Sequence, residues 1–352
     1  MWKIASSLIL LAVSLQARWI TGFYEARNPT LPPASIPWSK YTHIVHFAAA
    51  PGPNGAVDLH YLTRREMEQF TRSRPPGKKA LVCIKDNDDD LTAFARDTRP
   101  GILEAFVSNL AGFVAANGYD GLDIDWEKNV DVGQYVQLLA RLRAALPGKI
   151  IAADMGNWGN LETVAAAAQS SLDQINIMCY DMDFGTGYSW YNGALFQAGD
   201  SSVMTCDWRV GAFTSHALAP ARIGVGIPFY GRRWRGVTRA LVKGNFSSST
   251  VFYNQLAADP ARWQPQYQGY DKKYRSNFLS IPPLNEFDSY SGLEAMRDTA
   301  AWIKSKGFGG VMTYSLHYEY FPGQSGDARY PLSTALYQAM SAPDPPLPVP
   351  AH

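Results

Sequence analysis

Apolar positions along this chain alternate between two spacings. Short runs rich in β-branched and aromatic residues read as strands at Trp19–Tyr24, His43–Ala48, Lys79–Lys85, Gly121–Trp126, Lys149–Ala153, Gln174–Tyr180, Arg222–Ile227 and Gly310–Tyr314. Segments with helical spacing lie between them. In one, Leu103, Phe106, Val107, Leu110, Phe113 and Val114 share a face and the pattern stops at Gly118. A second carries Tyr135, Val136, Leu139 and Leu142 and ends before Pro147-Gly148. A third, with Leu293, Met296, Ala300 and Ile303, closes at Gly307. Strands that alternate with helical or long connecting segments predict repeated βα units and a parallel sheet. Eight of them point to α/β architecture of the closed (β/α)8 TIM-barrel type over an open sheet.

Two connections are longer than a simple unit needs. Asp181–Ala221 is rich in Gly and aromatics, and Arg235–Glu286 is longer still. Segments of this length are rarely structureless, so the second predicts a small insertion between strands seven and eight, at the barrel mouth. The barrel domain is expected over residues 18–341, with a Pro-rich flexible tail at 342–352.

Composition narrows the partners. The formal net charge is +1 over 352 residues, which gives no electrostatic reason to expect nucleic acid or a membrane surface. Lys3 followed by the mainly apolar Ile4–Leu15 is too short to span a bilayer and reads as an export signal over residues 1–17. The expectation is a secreted monomer, periplasmic if the source is bacterial. Three widely spaced cysteines, Cys83, Cys179 and Cys206, suggest buried thiols and at most one bridge. No His or Cys pair has ligand spacing, so neither metal nor other cofactor is expected.

The chemistry concentrates in Asp120-Gly121-Leu122-Asp123-Ile124-Asp125-Trp126-Glu127. Strand side chains alternate, so Asp123, Asp125 and Glu127 share one face, with neighbours about 6–7 Å apart along the backbone. Three acids on a core strand cannot all be ionised cheaply, and repulsion should raise at least one pKa into the range of a general acid. Glu127 is the last of the three, at the strand end where barrel enzymes place their chemistry. Asp120 has the opposite parity and reads as a structural hydrogen-bond anchor.

This stretch resembles the active-site strand of the chitinase-like glycoside hydrolase family 18, D-x-x-D-x-D-x-E, and matches it completely. Further segments are similar in the same order. Trp19–Tyr24 resembles the family's first strand, and Met178-Cys179-Tyr180-Asp181 its sixth-strand M-x-Y-D. Gly226-Ile227-Pro228-Phe229-Tyr230-Gly231-Arg232 resembles G-x-P-x-Y-G-R on the seventh, and Gly309–Met312 the opening of the eighth. The resemblance implies hydrolysis of β-1,4-linked N-acetylglucosamine in chitin or chitooligosaccharides, with retention and with help from the substrate's own acetamido group. It implies that Glu127 is acid and then base, that Asp125 steadies the acetamide with Asp123 behind it, and that Tyr180 and Asp181 hold the distorted sugar. Met178, Tyr230, Arg232 and Tyr314 would line the substrate site, and Trp158 and Trp190 are candidate sugar platforms.

Two strands depart from the family pattern. Its third strand carries S-x-G-G, often followed by Trp, where this chain has Cys83-Ile84-Lys85-Asp86-Asn87 and then Asp88 to Asp90. The acidic run reads as a solvated loop rather than a polar wall. The eighth strand presents Tyr314 where the family has Trp, a smaller stacking surface. These departures keep a second substrate class open: N-glycans, cut by an endo-β-N-acetylglucosaminidase, or peptidoglycan. A non-catalytic chitin-binding lectin is a third reading, against which the presence of Glu127 counts.

Overall fold

The computed structural model describes residues 18–344 except 60, 61, 157, 184, 198, 200 and 201, so the expected export signal and most of the Pro-rich tail lie outside the described residues. Eight parallel strands form the centre: Trp19–Glu25, His43–Pro51, Lys79–Lys85, Gly121–Asp125, Ile150–Met155, Gln174–Met178, Ile223–Pro228 and Gly310–Tyr314. Each pairs with the next. The first pairs with both the second and the last, through Thr21↔His43 and Trp19↔Gly310, so the sheet closes into the expected barrel.

Alternation along the strands sorts side chains between two cores. Phe23, Val45, Leu81, Cys83, Ala152, Met178 and Met312 fill the inside of the ring. Their outward neighbours, among them Ile44, Val82, Leu122, Ile124, Ile151 and Val225, meet the surrounding helices. The helices form where the apolar spacing placed them. Leu103–Ala116 buries Leu103, Phe106, Val107, Leu110 and Val114, and Gly118 follows with φ of 70°. Val132–Ala145 starts on Asp131, whose carboxylate accepts the Gln134 N–H at 2.9 Å and so caps a free helical donor. Leu293–Ser305 ends before Gly307, φ 66°.

Asp120 behaves as the anchor expected of it. Its carboxylate accepts the Ala80 N–H at 2.8 Å and an ion pair from Arg74, tying the entry of the fourth strand to the third. The segment between strands seven and eight is a five-stranded antiparallel sheet. Its strands lie in the order Ser248–Phe252, Tyr230–Arg235, Glu286–Tyr290, Ser276–Ile281 and Gln268–Asp271. Ion pairs from Arg233 to Asp288 and from Arg262 to Glu286, both at 2.8 Å, stitch it together. One disulfide joins Cys179, just past the sixth strand, to Cys206 at the start of helix Cys206–Ser215, and Cys83 is a buried thiol.

Gly121 opens the acidic strand because nothing larger fits. A Cβ there would lie 1.9 Å from the Ile150 carbonyl oxygen, inside the ladder between strands four and five. Gly121→Ala should therefore cost about 3 kcal/mol or more, at the upper end of overpacking effects. Gly112→Ala, in an open helical position with nothing within 4 Å, should leave stability unchanged or raise it by up to about 1 kcal/mol. Denaturant unfolding of the two variants side by side checks this.

Candidate active site

The fourth strand ends at Asp125, two residues earlier than a ladder running through Glu127 would require. Asp123 and Asp125 point into the barrel, and Glu127 stands just beyond the last rung, half-buried. The alternate residues do the opposite work. Trp126 is fully buried on the outer side, stacked on Phe94 with centroids 5.1 Å apart, and its indole N–H donates to the Lys128 carbonyl at 2.7 Å.

Burial dominates the electrostatics. Asp123 is pushed up to about 8, first by loss of water and then by the charge of Asp125. Among the described residues, neither of its oxygens has a conventional hydrogen-bond donor, and the Cys83 thiol, its cross-strand neighbour, favours its ionised form. Asp125 is held well above the usual carboxylate range by burial, then by Glu127, Asp154 and Asp86, with Lys85 opposing. Glu127 is raised by burial, with Lys128 pulling the other way and Asp181 adding to the rise. These groups retain protons at a pH where free carboxyls have lost them, which is what a general acid requires.

The neighbouring strands bring the other candidates to the same rim. Tyr180 and Tyr230 meet edge to face, with centroids 6.0 Å apart, and Met178 lies beneath them in the inner core. Asp181 adopts φ of 56°, a left-handed conformation unusual for a residue with a side chain. Its N–H donates to Asn192 Oδ1 at 3.0 Å, while Asn192 Nδ2 donates to the Tyr230 carbonyl at 3.0 Å. The Asp181 carboxylate accepts from the Tyr230 hydroxyl at 2.9 Å and from Arg232 at 2.7 Å, and Arg232 also reaches Asp183 at 3.3 Å. Tyr314 occupies the middle of an aromatic floor, within 6.5 Å of Phe23, Phe47, Tyr180, Tyr230 and Tyr318 by ring centroids. Phe252 extends this floor from the inserted sheet, stacked on Tyr318 at 4.0 Å.

The two tryptophan candidates part company. Trp158 is half-buried beside the inner cluster, folded over Gly156, with the Arg209 guanidinium 5.2 Å from its ring centroid. Trp190 is not a platform. It is wholly buried, its N–H donates to the Met204 carbonyl at 2.9 Å, and Tyr191 and Tyr274 pack against it, so no ring face is left for a sugar.

Two residues of the site went unmarked in the sequence. Asp154, on the fifth strand, is buried against Asp123 and Asp125, and burial raises its pKa well above normal. Arg209, from helix Cys206–Ser215, is buried and donates to the carbonyls of Met178 and Tyr180, the latter at 2.9 Å. Burial lowers it to about 10, against the pull of Asp181, Tyr180, Tyr230 and Glu127. Asp86 is buried rather than solvated, and Asn87 is buried with its amide donating to the Pro51 carbonyl at 3.0 Å. The solvated-loop reading therefore holds only for the outer part of the acidic run. Nothing in local spacing distinguishes these residues; strand and loop pairing puts them in place.

Residues 19–319 match the profile of "Glycosyl hydrolases family 18". The chain belongs to that family. Among curated family 18 relatives, mouse "Chitotriosidase-1" is 26% identical over 279 residues, covering 68% of this chain and 58% of that protein. The Caenorhabditis elegans "Probable endochitinase" is 25% identical over 267 residues, covering 66% and 43%. The chain thus spans about half the length of the curated relatives it matches. In fold, it superposes on the Ostrinia furnacalis group IV chitinase with a TM-score of 0.79 at 19% identity, covering 92% of this chain and 100% of that one. A chitinase-like agglutinin from Robinia pseudoacacia superposes with a TM-score of 0.78 at 19% identity, covering 91% and 99%. The same barrel fold therefore occurs in a protein described as a chitinase and in one described as an agglutinin, and the site residues have to discriminate between them.

Cys83 offers a direct handle on the buried acids. A hydroxyl is a stronger donor than a thiol, and a hydrogen bond to the ionised form lowers a carboxyl pKa. Cys83→Ser should bring Asp123 down from about 8, and Cys83→Ala should raise it. Carboxyl carbon NMR titrations of the three proteins check the order.

Proposed function

We propose that this family 18 protein hydrolyses β-1,4-linked N-acetylglucosamine in chitin or chitooligosaccharides, with Glu127 as acid and then base. The observation that carries the reading is the placement of Glu127. It is the rim member of a buried carboxyl cluster, raised by burial, beside the aromatic floor of Tyr180, Tyr230 and Tyr314. A flat sugar face fits that floor, and Asp181, Tyr230 and Arg232 supply a fixed polar edge.

The reaction then follows from the proton positions. Glu127 gives its proton to the glycosidic oxygen as that bond breaks. The sugar's acetamido oxygen closes onto the anomeric carbon from the opposite face, forming an oxazolinium ion, an exception to the scheme with two reacting carboxylates. Asp125 faces the acetamide N–H and offsets its developing charge, and Asp123 and Asp154 take part in the same proton balance. Tyr180, buried edge to face against Tyr230 at the same rim, offers its hydroxyl to the acetamide. Glu127, now ionised, removes a proton from water as water opens the ring with net retention. Export of the protein rests on residues 1–17 alone.

A second substrate class follows from the third strand. Asn87 is tied into its loop, and Lys85 is paired with Asp88 at 2.7 Å, so this wall of the cleft is polar where an aromatic platform would favour a stack of identical sugars. N-glycan or peptidoglycan substrates accord with such a wall.

Release from fluorogenic chitobiose and chitotriose, from a high-mannose glycopeptide and from peptidoglycan separates these readings. The wild type should cleave a chitooligosaccharide, and Glu127→Gln should lose about 10³-fold in kcat, within the range for removing a general acid. The first product should be the β-anomer by NMR; an initial α-anomer rules out acetamide participation. A wild type that binds chitin and cleaves nothing is a lectin.

A further inference from the structure

The third strand leaves the barrel at Lys85, and the next residue reaches across to the catalytic segment. Asp86 is buried, and its Oδ2 accepts two backbone N–H groups, those of Glu127 and Lys128, each at 2.9 Å. Its own N–H donates to the Asp125 carbonyl at 3.1 Å. One residue thus grips the main chain at Asp125, Glu127 and Lys128. The grip is needed where it occurs. Because the fourth strand ends at Asp125, the next N–H groups have no ladder partner, and a half-buried donor left unpaired is costly.

Asp86 is itself firmly seated. Asn87 donates to the Pro51 carbonyl at 3.0 Å and accepts the Asp89 N–H at 3.0 Å. The Asp90 N–H donates to the Asn87 carbonyl at 3.1 Å. Arg96 pairs with Asp90 and Asp97 and donates to the Gly52 carbonyl at 2.8 Å. On the far side of the catalytic segment, Trp126 is locked between Phe94 and Tyr135 and closes its N–H onto Lys128. The peptide carrying Glu127 is therefore held from the outer core by an indole and from the neighbouring loop by a carboxylate.

We propose that Asp86 is a positioning residue that fixes the direction of the Glu127 carboxyl by clamping its main chain. At this position the family pattern S-x-G-G has a glycine, which has no side chain to do so. The consequence for turnover rests on the glycosidase reading, whereas the clamp itself does not. A shift of about 1 Å in a reacting group costs on the order of 10²-fold in rate, so a clamp on the chain of the acid should be visible in kcat. Asp86 also carries charge beside the acids. Burial raises it to about 6 while the two N–H donors and Lys128 favour its ionised form, and its charge adds to the rise of Asp125.

Two substitutions separate the clamp from general stability. Asp86→Ala removes the acceptor; Asp86→Asn keeps an oxygen in the same place without the charge. Folding is checked by circular dichroism, and Asp86→Leu, branched at Cγ as Asp is but larger and without an acceptor, replaces the Ala variant if that one does not fold. In Asp86→Ala, kcat on fluorogenic chitotriose should fall about 10²-fold with KM changed less than about threefold, and Asp86→Asn should recover most of the loss. Amide hydrogen exchange of the peptide spanning residues 126–129 should speed up in the Ala variant and stay near wild type in the Asn variant. A folded Ala variant with wild-type kcat overturns the proposal, as does unchanged exchange or an Asn variant as impaired as Ala. If the wild type itself cleaves no glycan, the proposed activity fails, and the exchange comparison still decides the clamp.

Discussion

Closing eight strands into a ring leaves an interior that side chains fill in layers, and here the layers toward the C-terminal ends of the strands are rich in carboxyls. Asp123, Asp125 and Asp154 lie where water is excluded and where hydrogen-bond donors are few. Charges in such a place are expensive, so the acids keep protons instead. That single constraint makes ordinary Asp and Glu side chains hold their protons to higher pH than free carboxyls do. Cations reach these acids from the surrounding elements: Lys85 from the third strand, Lys128 from the loop, and the buried Arg209 from helix Cys206–Ser215.

The rim depends on that interior and in turn defines its use. Arg209 fixes the carbonyls of Met178 and Tyr180, Asn192 holds Asp181 in its left-handed conformation, and Arg232 joins Asp181 to Asp183. The inserted sheet is more than an appendage. It begins at Tyr230, supplies Arg232 and Phe252 to the mouth, and is braced internally by its own ion pairs. The cleft is thus built from barrel ends and an insertion, with rigid main chain behind each polar group.

The departures from the family pattern fall on the walls of the cleft rather than on the proton-bearing groups. Cys83 is a weak donor behind Asp123, Asn87 serves its own loop, and Tyr314 spreads the floor over several smaller rings instead of one indole. These changes bear on which glycan fits, since an apolar stacking surface rewards a run of like sugars and a polar wall does not. Asp123, Asp125, Glu127, Tyr180 and Asp181 all keep the family pattern. A barrel shared with an agglutinin therefore says little about turnover.

Some of this was legible in the chain alone. The spacing of apolar residues marked all eight strands and the main helices, because burial on one or two faces imposes its period wherever an element forms. Strand parity put Asp123, Asp125 and Glu127 on one face and set Asp120 apart as an anchor, since alternation is a local property. The long segment before the eighth strand was marked as an insertion by its length, though not as a five-stranded sheet. What the chain did not reveal lies in contacts between segments far apart in sequence. Asp154 joins the acids through strand pairing, Arg209 reaches them from a helix, and Asp86 meets Glu127 across 41 positions. Trp190 looked like an exposed platform in a Gly- and aromatic-rich loop, and the packing of Tyr274 from the insertion buried it. Periodicity reports which face of an element is covered; only the folded chain decides what covers it, because the covering residues come from segments far apart in sequence.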